Sequence, residues 1–431
     1  MSDDADDIES GPGADDESAD TEAGDGAPTT VTDPDSGDET PDTDDWLARA
    51  TGAGASLRQA ITVPFLALVS ALVIGAFIIA ITDVDSLKLW DDDPGQAFTD
   101  TVSGIWDAYK ALFTGSLGSR RAITESLFAA TPLILAGLAV AVGFQAGLFN
   151  IGANGQMHIG GMAALWVAFT ISPPALVHIP LVILAAMIGG GLWGAVAGTL
   201  KARTGAHEVI TTIMLNFIAL FMVDWLLTTD TFQQAGRNDP ISKQAEGSAQ
   251  FPRIFGDGFR LHIGFLVALA AVWVVWWLMY RSTIGFEFRA VGANPDGGKY
   301  AGMNVAWIYV SVLGVSGALA GIGGANQVLG LEPHRATSNF AGQTGFDAIA
   351  LALLGRSHPV GVLFAGLLFG GLRAGGREMQ GAAGIPIDMV LVLQALIIVF
   401  IAAPELVKAV YRIETPEQGS SAATTSTGWG S

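Results

Sequence analysis

Apolar residues gather into long runs, and short polar interruptions separate them. Ten stretches read as membrane spans: 63–82, 127–149, 157–172, 176–200, 209–227, 261–280, 306–329, 345–355, 360–372 and 385–403. Most approach the roughly 20 apolar residues that a helix needs to cross a bilayer. Pro64 opens the first, where a missing N–H costs least, and Pro173 with Pro174 ends the third. Stretches 345–355 and 360–372 are each short, with Arg356-Ser-His-Pro between them, so 345–372 reads either as two spans or as one re-entrant hairpin. The predicted class is all-α, a polytopic integral membrane protein of about ten helices. Spans two to five and seven to ten are expected to form an inverted repeat.

The longest polar interruptions differ in character. Segment 82–122 carries several aspartates and a short amphipathic helix is predicted near 102–113. Segment 228–260 is polar, with Pro240 and Pro252. Segment 281–305 is an island of Arg281, Arg289 and Lys299 against Glu287 and Asp296, following a span that ends in Trp276, Trp277 and Tyr280. Within it Phe286, Phe288, Ala290 and Val291 alternate with polar groups, and Gly292-Ala-Asn-Pro reads as a turn. Two readings stand: aromatics resting at the lipid headgroups, or a docking surface for a soluble partner. Lys201, Arg203, the island, Lys408 and Arg412 fall on one face, as do Arg49 and Arg58. The positive-inside rule makes that face cytoplasmic, with both termini on it, in a multi-pass protein of the cell membrane.

Composition supports a membrane protein. Half of the 431 residues are hydrophobic and mean hydropathy is +0.45. The net charge of −20 comes from one end, since 18 of the 41 acidic residues lie in 1–45, where there is no Lys or Arg. Beyond that tail 23 acids face 21 bases, so the remainder is nearly neutral. The expected organisation is a disordered acidic tail, 1–45, a transmembrane domain, 46–413, and a second disordered polar tail, 414–431. There is no cysteine, which excludes disulfides and thiolate metal sites.

Candidate chemistry is sparse. The six histidines have no metal-ligand spacing, and Gly298-Lys299-Tyr300 lacks both the earlier glycine and the hydroxyl residue of a phosphate loop. No catalytic residue and no metal are expected, and no cofactor is expected on this chain. The polar positions that stand out are amides among apolar residues. Asn150, Asn154 and Gln156 sit among glycines at a break in the apolar pattern. Asn326 and Gln327 open a second break, and Asn216 lies inside a span. Non-helical backbone at membrane depth is tolerated when it is buried in protein or lines a wet cavity. The break at 150–156 therefore reads either as a broken helix beside a solute path or as a tight interhelical turn. Asp224, Asp347, Asp388 and Gln394 are further polar groups in or near spans, the aspartates close to predicted ends.

Three motifs carry a family resemblance. One runs from Ala130-Thr-Pro-Leu133 to Gly147-Leu-Phe-Asn-Ile-Gly-Ala-Asn-Gly-Gln156, and the second is Glu208-Val-Ile-Thr-Thr-Ile-Met-Leu-Asn216. The third joins Gly285-Phe-Glu-Phe-Arg-Ala-Val-Gly-Ala-Asn294 and Tyr300-Ala-Gly302 to Ser316-Gly-Ala-Leu-Ala-Gly321. The chain resembles permease subunits of ATP-binding-cassette importers, in the branch serving ribose-like sugars, nucleosides and branched-chain amino acids. The likeness is greatest to nucleoside and simple-sugar permeases. It implies that the island is a coupling loop, with Phe286, Phe288, Arg289, Gly292, Asn294, Tyr300 and Gly302 forming its surface. It also implies a separate cytoplasmic ATPase that binds ATP and Mg, an extracellular solute-binding protein, and a second permease, typically a different polypeptide. Membrane lipid is the expected surrounding, and nucleic acid is not an expected partner. The alternative is an ion-coupled secondary transporter of a small polar solute, which leaves the ordered island unexplained.

Overall fold

A helix that is apolar on every side has to be buried on every side, and one segment of this chain meets that condition completely. In helix α3, Arg120–Gln145, every residue from 130 to 143 is buried. The computed structural model describes residues 62, 65–82, 87–89, 92–386, 388–402 and 411. The tails 1–45 and 414–431 lie outside the described residues. Around α3 are α1, Phe65–Thr82, α2, Pro94–Leu117, α4, Ala153–Thr170, α5, Ala175–Thr204, and α6, Glu208–Leu227. After the connection 228–263 come α7, Gly264–Arg281, α8, Thr283–Ala293, α9, Pro295–Tyr300, and α10, Val305–Gly330. The last three are α11, Thr344–Leu354, α12, Pro359–Ala383, and α13, Asp388–Ala402. The all-α class is as the apolar pattern predicts.

Seven described helices are long and apolar enough to cross a membrane: α1, α3, α5, α6, α7, α10 and α12. The other three predicted spans are also helical. α4 is too polar at its start to meet the same test, and α11 and α13 are 11 and 15 residues long. The ambiguity over 345–372 resolves asymmetrically, because the second arm continues well past residue 372 through Arg373 and Arg377. The helix near 102–113 is also longer than predicted. It spans 24 residues, begins at Pro94, and is capped by Asp93, whose carboxylate accepts from the amides of Gly95 and Gln96. It packs on α12, where the Ser116 hydroxyl donates to the Gly371 carbonyl at 2.7 Å.

Residue size sorts the interior from the exterior. α5 and α6 turn large side chains outward, including Leu192, Phe217, Phe221 and Trp225. In water this would be a costly patch, but hydrocarbon is as apolar as leucine, so burying these groups yields little there. What the helices gain from one another is close contact, and they obtain it with glycine. Gly190, Gly194 and Gly198 recur every four residues on α5 and lie against the α10 backbone. A Cβ at each would meet the Gly317, Leu313 and Tyr309 carbonyls at 2.2, 2.1 and 2.7 Å. From α10, Gly324 approaches the Met157 carbonyl of α4 in the same way, at 1.9 Å.

Hydrogen bonds identify two opposite ends of the bundle. At one, Gln145 ends α3 and donates to the Tyr280 hydroxyl at 3.2 Å and to the Ser357 carbonyl. At the other, Arg260 and Arg377 reach Glu125 near the start of α3, at 3.1 and 3.5 Å. Segment 228–263 closes that end with isolated bridges such as Ile241 to Thr337 and Arg253 to His262.

Candidate functional site

Amide side chains cluster where α3 gives way to α4. Gly147 turns the chain with φ +68, and α4 starts at Ala153, so Asn154 and Gln156 belong to its first turn and only Asn150 sits in the link. Asn150 and Gln156 form a reciprocal pair: Asn150 Nδ2 donates to Gln156 Oε1 at 2.9 Å, and Gln156 Nε2 donates to Asn150 Oδ1 at 3.1 Å. Asn150 also donates to Ser316 Oγ on α10 at 2.6 Å and accepts from the Gly152 amide at 3.0 Å. Ser316 passes its proton bond to the Ala139 carbonyl of α3. Asn216, midway along α6, accepts from the Gly155 amide at 2.7 Å and donates to the Ile151 carbonyl at 2.9 Å. Asn154 accepts from Gly345 at the start of α11, at 3.3 Å.

These four amides are buried, and their bonds go to the backbone, to one another and to the Ser316 hydroxyl. A non-helical link in hydrocarbon has to satisfy its own N–H and C=O groups, and this is what Asn150, Gln156 and Asn216 do. They act as a clamp joining α3, α4, α6 and α10, the arrangement expected of an interhelical turn.

Asn326 and Gln327 belong elsewhere. Asn326 lies ten residues after Ser316 on α10, about 15 Å along the axis at about 1.5 Å per residue, and Gln327 follows it. There they line a cavity of about 390 Å³ between α3, α10, α12 and α13. Gln394 of α13, Phe128 of α3 and Arg373 and Arg377 of α12 complete its polar and aromatic surface. Arg373 is paired with Asp347, and Arg377 with Glu125 at 3.5 Å. Arg260 caps the Phe128 ring at 4.4 Å, and the His262 ring meets its edge at 5.4 Å. Burial, with repulsion from His334, Arg260 and Arg253, pushes His262 down to about 4, so it is neutral here. Gln394 stood out in the sequence only as a polar residue near a span. Phe128 was not singled out, although two arginines four apart on the apolar α12 are a signal that sequence reasoning could have used.

The island folds as two helices, which changes the reading of its aromatics. Side chains two apart on a helix point about 200° away from each other. Phe286 is accordingly 57% exposed, while Phe288 is 2% exposed and packed into the core with Val291. Phe288 was expected on the coupling surface; the helical geometry instead buries it beneath the exposed face of α8. Tyr300, at the end of α9, is 94% exposed. Asn294 caps α9 by accepting from the Gly297 amide at 2.9 Å, and Pro295 starts it. Gly302 leaves α9 with φ +82, a conformation open to glycine at no cost. Arg289 lies over the Tyr280 ring at 5.2 Å and donates to the Gly285 carbonyl at 3.4 Å. Gly292 abuts the α3–α4 link, since a Cβ there would be 2.5 Å from the Ala146 carbonyl carbon, and one on Gly147 would be 2.8 Å from the Gly292 oxygen. The island and the clamped link are therefore in backbone contact.

Comparison with known proteins follows the same lines. The family described as branched-chain amino acid transport system / permease component matches residues 122–402. A guanosine ABC transporter permease protein of Bacillus subtilis is 39% identical over 72% of this chain and 89% of its own length. A glucose ABC transporter permease protein of Haloferax volcanii is 36% identical over 81% of this chain and 89% of its own. A nucleoside ABC transporter permease protein of Lactococcus lactis is 36% identical over 70% and 85%. No solved structure matches the chain.

Proposed function

This chain belongs to the branched-chain amino acid transport system / permease component family and is a pore-forming permease subunit of an ATP-binding-cassette importer; on that premise we propose that it moves a nucleoside or a simple sugar into the cell, driven through the α8–α9 elbow by a separate ATPase. The printed names of its relatives, guanosine, nucleoside and glucose permeases, support that solute class. An extracellular binding protein delivers the solute to the end closed by segment 228–263, and a second permease, a different chain, completes the pore. Both termini lie in the cytoplasm, on the side of the elbow.

The elbow is the observation that carries this reading. Two short helices present Phe286 and Tyr300 outward while Phe288 and Val291 anchor them from below. An exposed aromatic on a braced helix is suited to fill a cleft on a partner, and the planar fork of Arg289 suits a carboxylate at the cleft's rim. Gly292 seats the elbow on the α3–α4 link, so a push on α8 reaches the clamp of Asn150, Gln156 and Asn216 without an intervening flexible chain. That stiffness is what a translocation subunit needs if nucleotide energy arrives through a surface.

Co-purification of the ATPase and solute-stimulated hydrolysis in reconstituted vesicles test this. Arg289→Glu and Phe286→Ala should lower both at least several-fold, with Arg289→Lys intermediate. Phe288→Ala should act differently, lowering bundle stability by about 3 kcal/mol through the cavity it leaves. Wild-type ATPase recruitment and coupling in both Arg289→Glu and Phe286→Ala would remove the docking role.

A further inference from the structure

A recess in the side of the bundle is lined almost wholly by hydrocarbon. It lies between α1, α2, α3 and α12 and has a volume of about 310 Å³. Its walls include Leu72 of α1, Phe113 and Leu117 of α2, Ile123 and Leu127 of α3, and Leu368 of α12. Its two hydroxyls already have acceptors. Ser116 donates to the Gly371 carbonyl at 2.7 Å, and Ser126 donates to the Ser116 carbonyl at 2.8 Å. A polar solute would find no free donor there and would press its own polar groups against apolar walls. Phe113, Leu117 and Ile123 are 57, 65 and 41% exposed, so the recess opens sideways, away from the bundle. Leu368 lies nine residues before Arg377, about 13 Å down α12 from the charged end at about 1.5 Å per residue. The recess therefore faces the hydrocarbon of the bilayer.

Two cations stand over its mouth. Lys110, Phe113 and Leu117 share one face of α2 at intervals of three and four residues, as do Arg120, Ile123 and Leu127 on α3. Each cation precedes its apolar pair by one turn. α3 starts at the end of the bundle closed by segment 228–263, where Arg260 meets Glu125. α2 descends from that same end, since Thr101 and Gly104 share a cavity with Ala383 and Gly384, beyond Arg377. Lys110 and Arg120 therefore lie on the headgroup side of the recess. Both are exposed, and neither forms an ion pair among the described residues. Asp107 is exposed one turn from Lys110, while Arg121 and Glu378 face the adjoining polar cavity together.

We propose that this recess is a lipid site, which takes one acyl chain of an anionic phospholipid from the leaflet at the closed end and holds its phosphate between Lys110 and Arg120. The walls alone do not select a lipid, because every tail is as apolar as leucine. Selection comes from charge. Two cations against Asp107 leave the mouth positive, and a zwitterionic headgroup brings no net charge to it. A helix of another subunit is too wide to enter. A cube of this volume is about 7 Å on a side, whereas a helix with its side chains is about 10 Å across. A tail in the recess touches α1 and α2 on one side and α3 and α12 on the other, so it adds packing across that seam.

The test is the lipid that stays with the purified importer, a readout independent of the solute it carries. The complete complex is equilibrated with equal amounts of dioleoyl phosphatidylglycerol and dioleoyl phosphatidylcholine, washed in detergent, and extracted for quantification by mass spectrometry. The wild type should retain phosphatidylglycerol over phosphatidylcholine at least fivefold, about what one basic residue near an anionic surface contributes. Lys110→Gln combined with Arg120→Gln, both at exposed positions, should bring that ratio close to one at an unchanged yield of complex. Arg203→Gln, at an exposed cation of the other end, should leave the ratio as it is. Leu72→Trp fills the recess and should abolish the preference as well. Equal retention of the two lipids by the wild type, or an unchanged ratio in the double variant, overturns the proposal. So does an equal loss in Arg203→Gln, the mark of annular lipid only. The double variant decides the matter even where Leu72→Trp fails to assemble, and a Leu72→Trp complex that assembles and keeps the preference overturns the seat for the chain.

Discussion

Replacing Gly190 and Gly317 by alanine, singly and together, tests whether backbone contact between α5 and α10 holds the bundle. A Cβ on Gly317 would stand 2.1 Å from the Gly190 oxygen, and one on Gly190 would stand 2.2 Å from the Gly317 oxygen and 2.8 Å from Gly321 Cα. Non-bonded heavy atoms settle near 3.5–4 Å, so either alanine forces the helices apart by about 1 Å or more. A gap of that size forfeits about a quarter to a half of each dispersion contact along the seam, and overpacking of this kind costs about 1–3 kcal/mol. Each single substitution is therefore expected to destabilise by about 2 kcal/mol. Their effects should not add. One displacement makes room for both methyl groups, so the double variant should lose about 3 kcal/mol, a coupling of about 1 kcal/mol between neighbouring sites. Gly104 on α2 is the internal control, because a Cβ there meets nothing within 4 Å. Gly104→Ala should be stabilising by up to about 1 kcal/mol through helix propensity alone. The measurement is reversible unfolding in mixed micelles of dodecylmaltoside and increasing SDS, followed by circular dichroism. Single variants within about 0.5 kcal/mol of wild type, or a double variant equal to the full sum, would refute the reasoning.

The amide clamp makes an ordering expectation in the same titration. Asn150→Leu removes four hydrogen bonds, about 2 kcal/mol at the roughly 0.6 kcal/mol typical of a bond within the membrane. Asn154→Leu removes the single side-chain bond to Gly345 and should cost less; the reverse order would sink the clamp. Acid sensitivity should trace to His262, whose folded pKa of about 4 lies below the ordinary 6.5. The unfolded chain then binds more protons, so stability is complete above pH ~6.5 and is lost as pH falls toward ~4, by about 3 kcal/mol in all. His262→Gln should flatten that slope, and an unchanged slope would exclude His262 as its source. For orientation, Asp257→Cys and Asp296→Cys place thiols at exposed positions at opposite ends of the bundle. An impermeant maleimide applied to intact cells should label the first and not the second; labelling of Asp296→Cys alone would invert the topology.

Much of this protein was legible in one dimension because the bilayer is a uniform solvent. A run of apolar residues has one fate there, so the all-helical class and the positions of the spans follow from hydropathy alone. The motifs around Gly147, Glu208 and Gly285 identified the family for a related reason, since each marks a place where backbone meets backbone or, as with Lys201 and Glu208 at 2.6 Å, where an ion pair ties two successive helices. Tertiary structure decided what periodicity could not. The island's aromatics read alike in sequence, but helical geometry turned Phe286 outward and Phe288 inward. The amides also read alike, and only the fold separated Asn150 and Gln156, which bind each other, and Asn216, which binds the backbone of the link, from Asn326 and Gln394, whose nitrogens have no partner among the described residues. Whether a buried amide serves as a clamp depends on which atoms lie within about 3 Å of it. In a bundle those atoms come from helices far apart in the chain, as with Asn150 and Ser316, 166 residues apart. Local sequence carries the cost of burying a polar group, and only the packed bundle determines what offsets it.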